Sequence, residues 1–114
     1  MDNKQMMVKK GGSTKNFNVT ITGITDYTDY FGTLDVLDPK TKVSTGITRV
    51  INPDVSNGFV VALTPGETNT LGIGKYLVVL EITKDPVGNG DINDFTFNRE
   101  LSWQLEIKES LINN

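Results

Sequence analysis

Apolar and polar residues alternate at every second position along most of this chain, and this period restricts its fold more than any other feature. Residues 16–24 begin with the alternating apolar positions Phe17, Val19 and Ile21, and asparagines and threonines separate them. A β-strand presents successive side chains to opposite faces, so this order suits a strand with one buried face. No stretch of twelve residues holds a helical pattern. The pattern predicts an all-β fold.

Turn residues divide the chain into seven or eight predicted strands. The predicted strands cover residues 6–10, 16–24, 31–37, 42–51, 58–63, 75–83 and 95–108. Thr64-Pro65-Gly66 is interpreted as the turn that closes the fifth of them. Short strands at this spacing are typical of a sandwich or barrel, and 114 residues suffice for one core. We expect one domain over residues 1–114, with residues 1–7 and 109–114 as terminal arms.

The segment from Leu71 to Val78 narrows the prediction to an immunoglobulin-like antiparallel β-sandwich. Gly74 precedes Tyr76 by two positions at the start of a strongly marked strand. This is the pattern of a tyrosine corner, in which the tyrosine hydroxyl bonds backbone a few residues upstream. Val78 occupies the position of the second cysteine of antibody domains, so we expect an apolar contact there. Trp103 lies in the last strand, unlike the tryptophan of antibody domains.

Residues that share the buried phase of the strands form the predicted core, including Trp103 on the last strand. The predicted core is Phe17, Val19, Ile21, Leu34, Val36, Phe59, Val61, Tyr76, Val78, Leu80, Ile82, Leu101, Trp103 and Leu105.

Composition argues against catalysis and against nucleic-acid binding. Histidine and cysteine are both absent, which removes the commonest general base and the best nucleophile. Aspartates that could form a glycosidase pair (Asp26, Asp29, Asp35 and Asp38) fall on turns and outward faces. Eleven basic and fourteen acidic residues give a net charge of -3, without the surplus that phosphate contacts need. We predict no enzyme, no catalytic residue and no cofactor.

The N-terminal residues carry no apolar stretch of the signal-peptide kind, and no run of about 18 apolar residues occurs. We therefore expect synthesis in a cytoplasm and no membrane partner.

Residues 85–94 combine aspartates, asparagines and glycines. Such a loop offers several oxygen ligands, but the ligand spacing of a calcium-binding EF-hand is missing. The same residue types build a long hairpin loop, which is the interpretation we favour. We predict no metal site.

Tyr27 and Tyr30 stand among short polar residues in the segment before the third strand. Exposed aromatic rings beside hydrogen-bonding groups can bind sugars. The alternative is a loop whose tyrosines cover the end of the sandwich.

Apolar residues also occur on strand faces that should contact water. Leu77 and Val79 oppose the buried phase of their strand, and Val60 and Ala62 do the same in theirs. A strand that is covered on both faces reads as a continuous apolar run. We predict that these four residues meet a protein partner, or that a folded-back N-terminal segment covers them. That segment comprises Met6, Met7 and Val8, which complete the predicted interface.

The order of turns and strands resembles small immunoglobulin-like domains of tailed-phage virion proteins, such as the N-terminal domain of the baseplate upper protein family. The features that carry this resemblance are Lys10-Gly11 before the first alternating strand, Asp38-Pro39 after the next, Leu71 to Tyr76, and the glycine-rich hairpin before the last strand. The likeness covers nearly the whole chain. It implies a structural role and no catalytic residues.

The resemblance leads us to expect a capsid-decorating, head-associated virion protein that is made in the host cytoplasm and bound in many copies. Proteins of the baseplate family carry a downstream fibre or receptor-binding region, which we do not expect for this chain. We therefore favour the head-associated role and keep a tail or baseplate adaptor domain as the alternative. A carbohydrate-binding or adhesion module that uses Tyr27 and Tyr30 is the other alternative. The expected partners are other virion proteins or further copies of the chain.

Overall fold

The computed structural model describes residues 5–12 and 17–109, without the side chains of Gln5 and Phe17. About half of these residues belong to β-strands and only seven belong to an α-helix, so the all-β class is confirmed. The strands are β1 (Gln5–Lys9), β2 (Phe17–Val19), β3 (Tyr30–Leu37), β4 (Ser44–Ile51), β5 (Phe59–Val61), β6 (Gly74–Lys84) and β7 (Phe97–Lys108). A short helix, α1 (Pro65–Leu71), precedes β6, and a 3₁₀ turn (Ile92–Asp94) precedes β7.

The strands form a five-stranded sheet in the order β1-β7-β6-β3-β4 and a two-stranded sheet of β2 and β5. All pairs are antiparallel except β1 with β7, which is parallel. The longest pairing joins β6 to β7 from Gly74 opposite Ile107 to Lys84 opposite Phe97.

Buried side chains of both sheets belong to one hydrophobic cluster, and the Phe59 ring of β5 lies close to Gly32 of β3. Gly32 packs closely against this cluster, because a Cβ there would stand 2.9 Å from Leu80 Cδ1 and 3.2 Å from the Phe59 ring. The cluster contains Met6, Val8, Val19, Ile21, Tyr27, Leu34, Val36, Phe59, Val61, Leu63, Val78, Leu80, Ile82, Trp103, Leu105 and Ile107.

Most of the predicted core is confirmed. Trp103 is 8% exposed, so the phase assigned to the last strand is correct. Tyr76 and Leu101 are only partly buried and pack against the cluster from its margin. The side chain of Phe17 lies outside the described part of the chain.

The N-terminal arm predicted for residues 1–7 is wrong for residues 5–7, which belong to β1. Met6 and Val8 are each 3% exposed and pack into the core, because β1 aligns them beside Leu105 and Ile107 of β7. Residues 1–4 and 110–114 lie outside the described residues, so the rest of the two arms is not covered.

The predicted turn at Thr64-Pro65-Gly66 is instead the start of α1. Thr64 Oγ1 accepts a hydrogen bond from the Glu67 amide at 3.2 Å, and a Glu67 carboxylate oxygen accepts one from the Thr64 amide at 2.9 Å. This reciprocal pair is a capping box, with proline at the first helical position. The turn prediction is therefore wrong, because these residues form the N-terminal cap of a helix.

The predicted hydrogen bond of the tyrosine corner is present. Tyr76 donates its hydroxyl to the Leu71 carbonyl at the end of α1, and the Gly72 carbonyl lies 3.3 Å from the same oxygen. The bond fixes the path of the chain from α1 into β6.

Candidate interaction surface

The outer face of the five-stranded sheet carries a small apolar patch on the neighbouring strands β6 and β3. Val78 and Leu80 are fully buried, so the alternating Leu77 and Val79 point to the other side of β6. Leu37 of β3 stands directly opposite Leu77. All three outward side chains are half-buried. We call Leu37, Leu77 and Val79 the outer patch.

Polar residues surround the outer patch on the neighbouring strands. Gln104 and Ser102 of β7 stand opposite Leu77 and Val79, and Asp35 of β3 stands opposite Val79 on the other side. Ser44 donates its hydroxyl to Asp35 at 2.7 Å, which fixes that carboxylate at the margin. An apolar centre with a polar margin is the usual composition of a protein interface.

The predicted extension of this patch by β5 is wrong. Val60 and Ala62 lie on or just after β5, which pairs only with β2 among the described strands. Val60 is 44% exposed and Ala62 is half-buried, but they belong to the opposite layer. Alternation alone reveals that a residue faces outward, and it does not reveal which sheet holds the strand.

The N-terminal residues of the predicted interface separate into two groups. Met6 and Val8 are buried in the core of the same chain, so they are not available to a partner. Met7 is 50% exposed and stands opposite Glu106 of β7, on the same face as the outer patch. β1 therefore extends the edge of the sheet beside β7, and it does not fold back over Leu77 and Val79.

The tyrosines proposed as a sugar-binding platform are packed inside the domain. Tyr27 is 1% exposed, and its hydroxyl accepts a hydrogen bond from the Ile21 amide at 2.8 Å. Its ring meets those of Tyr30 and Phe59 edge-to-face, with centroids 5.6 and 5.7 Å apart. Tyr30 is half-buried, with Lys84 Nζ 5.4 Å from its ring centroid. Tyr27 cannot stack on a sugar, which corrects the prediction of an exposed aromatic pair.

The loop over residues 85–94 uses its polar atoms to hold its own conformation. Asp85 is 8% exposed, and its two carboxylate oxygens accept hydrogen bonds from the Gly88 and Gly90 amides at 3.0 and 2.8 Å. Asp91 caps the 3₁₀ turn by accepting from the Asn93 amide. Within residues 5–12 and 17–109, no three acidic, histidine or cysteine side chains gather as a metal site would require.

Hydrogen bonds favour the ionised form of two of the aspartates considered for catalysis, Asp26 and Asp38. The Thr28 hydroxyl and amide lower the pKa of Asp26, and the Thr41 and Lys40 amides lower the pKa of Asp38. A catalytic acid of a glycosidase needs the opposite shift, which burial in an apolar site provides.

None of the helices in the described segments has the length and hydrophobicity to cross a membrane. Comparisons with protein-family models, curated proteins and solved structures found no match for this chain.

Proposed function

We propose that this chain is an immunoglobulin-like β-sandwich that binds other proteins through the outer patch, as a structural component of a tailed-phage virion. Its place in the particle is the head, where many copies decorate the capsid. The outer patch is the observation that carries the binding function. The resemblance in turn chemistry and strand order motivates the virion assignment.

The topology supports the immunoglobulin-like architecture. Two sheets of five and two strands share one core, and the first strand runs parallel to the last. The Tyr76 hydroxyl bond lies at the entry to β6, as a tyrosine corner requires. Val78 is fully buried where antibody domains hold a cysteine, so an apolar contact replaces the disulfide.

The position of the outer patch supports protein binding. Leu77 and Val79 lie two residues apart on a central strand, so their side chains emerge about 7 Å apart on one face. Burying an aliphatic side chain contributes about 1.5–3 kcal/mol relative to full exposure, and half-buried side chains contribute less. The three residues of the outer patch and exposed Met7 on the same face supply apolar contacts for a partner, and the polar margin supplies hydrogen bonds.

Aspartate substitutions of the outer patch test this proposal. Leu77→Asp and Val79→Asp place a charge in the contact, so binding to the particle should be lost while thermal unfolding changes little. Val60→Asp is the matched control, because it adds the same charge to an exposed aliphatic position of the other sheet. The measurements are melting temperature and the copies retained on purified virions of the phage or prophage that encodes the chain. Lower melting temperatures with full retention would contradict the proposal.

Labelling of the same virions with an antibody against the chain tests the location. Label on the head supports capsid decoration. Label confined to the tail tip would favour the alternative of a baseplate adaptor.

A further inference from the structure

The described strands offer four open sheet edges, and β4 has much the longest one. β4 extends over eight residues and pairs only with β3 within the described residues. The other edges belong to β1, with five residues, and to β2 and β5, with three each. An open edge presents unpaired N–H and C=O groups that can pair with another strand.

The second half of β4 is a regular strand. From Thr48 to Ile51 its residues stand opposite Asp35 to Gly32 of β3 without interruption. The first half is irregular, because the register with β3 shifts and Gly46 has a φ of +94°. Residues 48–51 therefore provide the part of the edge on which another strand can pair.

This regular edge lacks the charges that usually prevent strands from pairing. Its only charged residue is Arg49, whose guanidinium turns inward to the Ala62 carbonyl and the Glu67 carboxylate. Thr48 and Val50 are exposed, and Val50 reaches 62%. β-Branched residues favour strand pairing, whereas lysines discourage it. By contrast, β1 ends at Lys9 and is followed by Lys10, and lysines at an edge discourage pairing.

We propose that β4 pairs antiparallel with β4 of a second copy, and that this contact joins the two five-stranded sheets about a twofold axis. A twofold contact uses the same edge on both copies, so one pairing closes both edges. This inference is independent of the proposed virion function.

The sequence of β4 is complementary to itself when the twofold axis passes beside Arg49. Val50 then faces Thr48 of the partner subunit twice, so this central pairing lies within the regular part of the edge. Ile51 faces Ile47 of the partner subunit, the residue next to that part. The two arginines come together at the centre, but each already has its own Glu67 as counterion. An axis beside Thr48 would place Val50 against Gly46 of the partner subunit, where the strand is irregular.

Lysine substitutions at the edge test the contact. Thr48→Lys and Val50→Lys should each raise the dimer dissociation constant on the order of tenfold. The twofold axis places each new lysine in the contact twice, once from each copy, where it faces a neutral residue. Ser102→Lys is the control, because Ser102 is exposed on the same sheet but lies on the interior strand β7. Sedimentation equilibrium from micromolar to millimolar protein measures the association, and thermal unfolding verifies the fold of each variant.

Cysteine cross-linking tests the register, since the natural chain has no cysteine. Under oxidising conditions a mixture of Thr48→Cys and Val50→Cys proteins should form the mixed dimer faster than either protein forms its own. A wild-type protein that stays monomeric at millimolar concentration would overturn the proposal. Equal dimer dissociation constants for the two edge lysine variants and for Ser102→Lys would also overturn it. A Thr48→Cys protein that cross-links faster to itself than to Val50→Cys would do the same.

Discussion

Replacement of Tyr27 by phenylalanine should destabilise the domain, although the ring and its contacts are kept. The Tyr27 hydroxyl accepts a hydrogen bond from the Ile21 amide at 2.8 Å, and both residues are buried. Phenylalanine leaves this amide without a partner in an apolar site. A buried group that loses its partner costs about 1–3 kcal/mol.

The expected loss is large enough to measure by thermal or urea unfolding. In a domain of about 100 residues, 1 kcal/mol shifts the melting temperature by about 4–8 °C. Tyr27→Phe should therefore lower the melting temperature by about 4–24 °C.

Tyr30→Phe is the matched control for this experiment. The ring of Tyr30 contacts Tyr27 and Phe97 edge-to-face, and phenylalanine preserves both contacts. Tyr30 is only half-buried, so Tyr30→Phe should change the free energy of unfolding by less than about 0.5 kcal/mol. Equal losses for the two variants, or a loss below about 0.5 kcal/mol for Tyr27→Phe, would refute the role assigned to the Ile21 amide.

Two further predictions concern β1 and α1. Met6→Ala should cost about 2–5 kcal/mol in urea unfolding because Met6 is core, whereas exposed Met7→Ala should cost little; equal costs would refute the assignment of β1. Burial raises the pKa of Glu67, but hydrogen bonds from Arg49 and the Thr64 amide outweigh it, so the net pKa lies below its usual 4.5. The stability that Glu67 contributes is thus present above about pH 4.5 and lost as the pH falls through the native pKa. Glu67→Gln should lose less stability than wild type between pH 7 and pH 3, and an equal loss would contradict the ion pair.

Strands whose signals are local could be predicted closely. The observed bounds of β3 and β6 agree with those predicted from the sequence to within one residue. The reason is that the residues on the buried face of each strand recur at every second position. The backbone hydrogen bond of the Tyr76 hydroxyl could also be predicted, since Gly74 and Tyr76 stand close together in the sequence.

Features that depend on distant pairing could not be predicted in the same way. Two-residue alternation does not reveal that β5 pairs with β2 or that β1 runs parallel to β7. Tyr27 sits between polar neighbours, and its burial results from packing on Phe59, which is far along the chain. The start of α1 did carry a local signal, the threonine and glutamate of the capping box, but the proline and glycine between them also suit a turn.

The parallel pairing of β1 with β7 determines how the domain bears a mechanical load. Gln5 at the start of β1 lies beside Gln104, and Lys108 at the end of β7 lies beside Lys9. Tension applied to Gln5 and Lys108 in opposite directions pulls these strands along their own axes. Their hydrogen bonds then carry the force together, as in shear, instead of opening one after another. The domain should resist stretching along its chain better than it resists peeling of β1 from Lys9 outward.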